Sequence, residues 1–395
     1  MRILYLVSAF PRRPGDVITP WLVETISRLR SRGVEVEVLA PAYRGSASGR
    51  VDGVVVHRYR YAPRGWETLT HDQTAPDRIR DNPLYLALVP SYLAALSIAA
   101  TRLARSGRFD AIHAFWPLPH GVGGAVAKRA SGVPLVCTFF GVEITWTRSR
   151  FPLLKPVLRK IVREADALTA ISNYTAGLLR EEVPGAEVEI IPFGAAATAR
   201  EGTPPPFPTP HAPARLLFVG RLVERKGVDV LLEAVAKLPG VRLAVVGDGP
   251  ARSGLESRAS ALGLGGQVRF TGFVSQRTLA SEYQRADVVV LPARYDAKGD
   301  VEGLGVALIE GMAYGRSVIG SDVGGIPDII RPGETGLLVT PGDPAALAAA
   351  ISRLDGDREL ARKMGAAGRE DARARFSWRR ITADLEALYR RVISA

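Results

Sequence analysis

The chain has 395 residues, enough for two domains, and its 47% hydrophobic and 23% charged content is that of a globular protein, which excludes a disordered or fibrous chain. A formal net charge of +12 suits phosphates, an anionic membrane surface or nucleic acid; no nucleic-acid-binding motif is present, so nucleic acid is set aside. The single cysteine, Cys137, excludes a disulfide framework and fits a reducing, cytoplasmic compartment.

The elements alternate from the start. Ile3–Ala9 is an apolar run, too short before Pro11 for a signal peptide. Trp21–Arg32 carries Leu22, Ile26 and Leu29 at helical spacing and stops at Gly33. Glu35–Ala40 reads as a strand. The apolar stretch Pro83–Ala100 falls short of the ~20 residues that span a bilayer and is expected to be a core helix. Strands follow at Asp110–Trp116, Leu135–Phe140, Ala167–Ile171 and Val188–Pro192. Cys137 lies in an apolar run and reads as a core residue.

Six prolines between Pro204 and Pro213 then mark a semi-rigid linker. Beyond it, strands are expected at Arg215–Val219, Arg242–Val246, Gln267–Phe270, Asp287–Pro292, Ser317–Ser321 and Leu337–Val339. Helices are expected at Val228–Lys237 and Ser275–Arg285, and from Pro344 to Ile393 the chain reads as largely helical. This pattern predicts an α/β protein with two Rossmann-like, doubly wound domains, 1–197 and 214–376, joined by a linker over 198–213 and facing each other across a deep cleft.

Four segments carry chemistry. Gly220-Arg-Leu-Val-Glu-Arg-Lys-Gly227 joins a strand to a helix start and holds Arg221, Arg225 and Lys226, which suits a diphosphate. Gly247-Asp-Gly-Pro250 suits either a tight turn or a backbone approach to a ligand. Glu302-Gly-Leu-Gly-Val-Ala-Leu-Ile-Glu310 sets two carboxylates around a helix start. Gly303 and Gly305 expose N–H groups there, and a carboxylate can grip two neighbouring hydroxyls of a sugar or ribose. In the first half, Ile112-His-Ala-Phe-Trp-Pro-Leu-Pro-His120 leads into a helix expected to begin near His120. His113 reads as structural, and His120 as the histidine placed to face the cleft.

Taken with Asp322-Val-Gly-Gly-Ile-Pro-Asp328, these motifs resemble glycosyltransferase family 4, retaining enzymes of the GT-B fold. The resemblance implies roles. Arg221 and Lys226 hold the donor diphosphate, Glu302 contacts the donor sugar, and Gly303, Leu304 and Gly305 turn the backbone at sugar and phosphate. Glu310 binds the ribose hydroxyls, and Val274 lies in the segment whose backbone reads the base. Gly15 stands where the family has a glycine-rich loop near the diphosphate. The resemblance also implies that a C-terminal helix, 377–395, packs back on the first domain, and that the cleft closes on donor binding.

One departure stands out. Where the family often carries His-Gly-x-Asp, this chain has Phe140-Gly-Val-Glu143, so either Glu143 or His120 replaces the missing histidine or the site needs no such contact. The implied reaction moves a sugar from a UDP- or GDP-linked donor to a hydroxyl of a glycan, a lipid-linked or a small-molecule acceptor. No residue cluster has metal-ligand spacing, so neither metal nor cofactor is expected. The basic, amphipathic segment Arg148–Arg163 suits an anionic bilayer, which points to peripheral binding at the inner face of the membrane, or else it is an ordinary surface helix. Nothing in the sequence marks an oligomeric state. A nucleotide-sugar epimerase of the same architecture and a non-catalytic nucleotide-sugar-binding subunit are the alternatives.

Overall fold

The structure, a computed structural model, describes residues 1–16, 18–71, 75–194 and 213–395. The expected linker, 198–213, lies outside the described residues except for Pro213. The chain forms two compact units. One comprises Met1–Ile171, Thr175–Ile191 and Ile381–Ala395, the other Ser172–Tyr174 and Pro192–Arg380.

The N-terminal unit is built on β1 (Arg2–Leu6), β2 (Glu35–Pro41), β3 (Gly49–Val51), β4 (Val54–Tyr59), β5 (Ala111–Phe115), β6 (Leu135–Phe139), β7 (Ala167–Ala170) and β8 (Val188–Ile190). They form one sheet in the order β3-β4-β2-β1-β5-β6-β7-β8. Every pairing is parallel except β3 with β4. The sequence reading holds no strand between Ala40 and Asp110, so this hairpin is an addition. Its signal is Asp52-Gly53 between Val51 and Val54: both turn residues have positive φ (48° and 78°), the geometry for which Asp-Gly is favoured.

Side chains alternate along each strand, so β1 sends Leu4 and Leu6 into one core and Ile3 and Tyr5 into the other. The second core is closed by the last helix, Trp378–Ser394, through Ile381, Leu385, Leu388, Tyr389 and Val392, a stripe at helical spacing. A buried hydrogen-bond chain runs beneath it. Tyr5 and Tyr389 hydroxyls lie 2.7 Å apart, and the Tyr389 hydroxyl is 2.7 Å from His113 Nδ1. His113 Nε2 is 2.6 Å from Thr138 Oγ1, which is 2.6 Å from Thr169 Oγ1. Burial pushes His113 down to about 3, so its imidazole is neutral and one ring nitrogen donates while the other accepts. His113 is thus structural, and Cys137 is fully buried.

The expected core helix at Pro83–Ala100 needs correction. A 3₁₀ segment, Pro83–Leu88, leads into a helix, Val89–Ala104, that buries only Tyr92, Leu96, Ala100 and Ala104. Apolar residues surround this helix on all sides, but only one face can meet the sheet. Leu84, Leu86 and Ile98 are 66%, 58% and 70% exposed.

The C-terminal unit is built on β9 (Arg215–Val219), β10 (Arg242–Val246), β11 (Val268–Gly272), β12 (Val288–Leu291), β13 (Ser317–Ser321) and β14 (Leu337–Val339). Their order is β11-β10-β9-β12-β13-β14, and all pairings are parallel. This is a doubly wound order that reverses between β9 and β12. Such sheets bind ligands outside the carboxyl ends of their strands at that reversal. Two α/β units of Rossmann-like architecture are therefore present, as the strand–helix alternation indicated.

Candidate functional site

The loops that follow β9 and β12 meet at the reversal point. At Gly227 a Cβ would overlap the Pro292 carbonyl oxygen, so only glycine lets the two loops touch. The Arg294 N–H donates to the Arg225 carbonyl at 2.9 Å, and Arg294 pairs with Asp229 at 2.8 Å. This packing delivers Lys226 to Glu302. The ammonium lies 2.6 Å from Glu302 Oε2, and each side chain is only 13% exposed.

Glu302 Oε1 accepts the Gly305 N–H at 3.1 Å. Gly305, at φ 98°, opens the helix Val306–Ala313, so the carboxylate caps a helix start whose dipole favours negative charge. Burial pushes the Glu302 carboxyl up, but Lys226, then Arg225 and the Gly305 N–H, outweigh it and hold the carboxyl below its ordinary value. From the other side, Asp322-Val-Gly-Gly-Ile supports the loop. A Cβ on Gly324 or Gly325 would overlap the Glu302 or Gly303 carbonyl oxygen, and the Gly325 N–H donates to the Glu302 carbonyl at 2.9 Å. Leu304 is buried beneath the turn.

Glu310 is 7% exposed, so it does not lie on the solvent face of its helix. Its Oε2 accepts the Tyr283 hydroxyl at 2.6 Å, and the Tyr283 ring stacks on Tyr314 at 5.2 Å. The sequence reading missed Tyr283. It sits in the helix Gln276–Arg285, and no local pattern ties it to a carboxylate so far along the chain. Arg221 is exposed in the loop after β9, and Val274 is half-buried just past β11. The structure thus joins Lys226, Glu302 and Gly305 directly, with Glu310 further along the helix that Gly305 opens.

The remaining three residues belong to the N-terminal unit, and two need correction. His120 is fully buried. The helical segment Pro117–Ser131 is broken at Leu118, so its continuous part starts beside His120, about where expected, but the imidazole lies inward. Nε2 lies 3.3 Å from the Tyr92 hydroxyl and Nδ1 3.2 Å from the Trp116 carbonyl. Burial pushes it down to about 4, so it is a neutral core histidine and not a group that faces a substrate. Glu143 is also fully buried. Its Oε1 accepts the Phe140 N–H at 2.7 Å, while Oε2 meets no hydrogen-bond partner among the described residues. Burial raises it to about 7. Phe140, in the family's histidine position, stacks on Trp116 at 4.2 Å. Gly15 is exposed at φ 80° in the loop after β1.

A Lys–Glu pair and a glycine-opened helix thus stand at the reversal point of a parallel sheet, and the chain belongs to the family 4 glycosyltransferases. The Glycosyltransferase Family 4 model matches residues 21–198, and the model for glycosyl transferases group 1 matches 200–371. Among its relatives is the GDP-mannose-dependent alpha-(1-6)-phosphatidylinositol monomannoside mannosyltransferase of Mycolicibacterium smegmatis, 30% identical over 408 residues that cover 98% of this chain and 97% of that protein. The D-inositol 3-phosphate glycosyltransferase of Streptomyces scabiei is 32% identical over 402 residues, covering 91% of this chain and 82% of that protein. Among solved structures, sucrose-phosphate synthase from Thermosynechococcus elongatus superposes with a TM-score of 0.77 at 25% identity, covering 100% of this chain and 99% of that one. The protein is accordingly a GT-B glycosyltransferase that uses nucleotide sugars.

Proposed function

We propose that this enzyme transfers mannose from GDP-mannose, with retention of configuration, to a hydroxyl of an inositol-bearing, lipid-linked acceptor. The observation that carries the transfer site is the Lys226–Glu302 pair at the head of the Gly305 helix. GDP-mannose and the inositol acceptor are supported by the named activities of the relatives above.

In this reading the donor diphosphate lies against Lys226, Arg221 and the N–H groups around Gly305. An ammonium has three donors, so Lys226 can hold Glu302 and a phosphate oxygen together. Glu310, fixed by Tyr283, takes the ribose hydroxyls, and Glu302 the sugar. Cleavage of the bond between the anomeric carbon and the phosphate oxygen builds charge on the diphosphate, and these donors stabilise it without moving. Retention through a glycosyl-enzyme would need a free carboxylate oxygen. In this reading Glu302 is held by Lys226 and the Gly305 N–H and contacts the sugar hydroxyls, while Glu310 faces the ribose, so neither is assigned as a nucleophile. This favours attack of the acceptor hydroxyl on the face the diphosphate leaves, with the acceptor proton passing to the departing phosphate oxygen.

No metal is required in this reading, because cationic side chains and helix N–H groups meet the charge; loss of activity in EDTA that magnesium restores would overturn that part. The reading also places the enzyme in the cytoplasm, on an anionic membrane that carries its acceptor. The decisive experiment pairs a thermal-shift screen of GDP, UDP and ADP with a transfer assay. GDP should give the largest shift, since a bound ligand stabilises by mass action. Lys226→Ala and Glu302→Ala should each lower turnover at least tenfold, about 1.4 kcal/mol of transition-state stabilisation. Wild-type rates in both would show that the site is misassigned, and binding without transfer would favour the non-catalytic alternative.

A further inference from the structure

We infer that the outer face of the Pro83–Ala104 segment docks the enzyme on an anionic phospholipid bilayer. The inference rests on the lipid-linked acceptor proposed above. It assigns the contact to a different element from Arg148–Arg163, the segment whose composition suggested a membrane. In the structure that segment's helix, Lys155–Glu164, turns Leu158, Ile161 and Val162 into the core. Three cations of the segment pair with acids: Arg148 with Glu181 at 2.9 Å, Arg159 with Glu182 at 3.1 Å and Lys155 with Glu182 at 3.8 Å. Little of its amphipathic character is left for a bilayer.

The Pro83–Ala104 segment is the reverse case. Its most apolar window of 18 residues has a mean hydropathy of 1.7, yet only 17% of that window is buried. Its length is that of a membrane span, but Tyr92, Leu96, Ala100 and Ala104 are fixed in the N-terminal core, so it cannot leave to cross a bilayer without opening that core. What remains outward is Leu84, Leu86 and Ile98, all more than half exposed. Exposed apolar surface of this kind marks a binding face.

Charge selects the occupant. From Pro83 to Phe109 the sequence has no acidic residue, and Arg102 and Arg105 follow Ile98 at helical spacing. Against the neighbouring helix, Pro117–Ser131, they line an open groove of about 530 Å³ with Ile98, Thr101 and Val126. Apolar side chains bordered by arginines match acyl chains below anionic head groups.

Position supports the same occupant. The crossover from β4 to parallel β5 makes this helix run against the strands, so Leu84 and Leu86 sit at the carboxyl edge of the N-terminal sheet. A bilayer held there adjoins the loops where such sheets bind ligands.

The test is flotation of the full-length protein with phosphatidylcholine vesicles, with and without phosphatidylglycerol. Wild type should float only with phosphatidylglycerol, and less so as salt rises. Leu84→Asn/Leu86→Asn/Ile98→Asn, all at exposed positions, should bind at least tenfold more weakly. Arg102→Gln and Arg105→Gln should each weaken binding about fivefold. No flotation, equal flotation on phosphatidylcholine alone, or wild-type binding by the triple variant overturns the inference. So does sedimentation showing that the same face pairs two copies while vesicles are ignored. Stabilisation by GDP is measured on the same samples and should be unchanged in every variant. Its absence in wild type would sink the proposed donor and leave the vesicle result standing.

Discussion

Glu143 offers a sharp test of how the N-terminal unit stores cost. The carboxyl is fully buried at the start of the helix Val142–Ser149, with one oxygen on the Phe140 N–H and the other without a hydrogen-bond partner among the described residues. Its folded value of about 7 lies above the ordinary 4.5. The folded state therefore binds the proton more tightly than the unfolded state, and stability is fully present below 4.5 and lost as pH rises through 7. One unit is worth about 1.4 kcal/mol, so integrating between the two values gives a loss of about 2.5 kcal/mol from pH 5 to pH 8. Glu143→Gln keeps the acceptor for Phe140 and removes the titration. Its amide adds a buried donor, a cost that does not change with pH.

The expected result is a difference in stability between variant and wild type that shifts by about 2.5 kcal/mol in favour of the variant between pH 5 and pH 8. Urea unfolding followed by tryptophan fluorescence measures it, because Trp21, Trp66, Trp116 and Trp146 all lie in the N-terminal unit. A difference that stays constant within about 0.5 kcal/mol would refute the account, since that is the usual error of comparing independent variants.

Other expectations follow from particular contacts. Tyr389→Phe removes the hydroxyl shared by Tyr5 and His113, leaving two buried groups unpaired, and should cost about 2–5 kcal/mol in urea unfolding. Tyr5→Phe breaks only the first of these bonds and should cost about half as much; equal costs would contradict the shared hydroxyl. Tyr283→Phe removes one hydrogen bond that orients Glu310, so the donor KM should rise about tenfold to a hundredfold, the loss of one hydrogen bond to a charged group, with little change in kcat. A loss confined to kcat would show that Glu310 does not act on the ribose. Gly324→Ala, at φ 60° and against the Glu302 carbonyl, should lower turnover at least tenfold without touching any proposed substrate contact, whereas Gly333→Ala, at φ 79° with open space, should leave it unchanged. Equal rates for the two would show that the Glu302 loop tolerates displacement.

The sequence alone determined a good deal. Alternating apolar runs and helical stripes marked two parallel-sheet units, because strand and helix periods are local properties of side-chain direction. The Gly220–Gly227 and Glu302–Glu310 segments were legible for the same reason: glycines, cations and carboxylates at short spacing beside a strand end. Even the β3–β4 hairpin had its signal in Asp52-Gly53. Burial and pairing across the chain were another matter. Lys226 meets Glu302 only because the β9 and β12 loops adjoin where the strand order reverses, and Tyr283 reaches Glu310 only through the packing of two helices. His120 and Glu143 read as reactive groups in sequence, yet both are sealed in the interior. The apolar residues of Pro83–Ala104 could not declare which of them would meet the core. Period fixes which residues share a face; only the tertiary structure decides what that face touches.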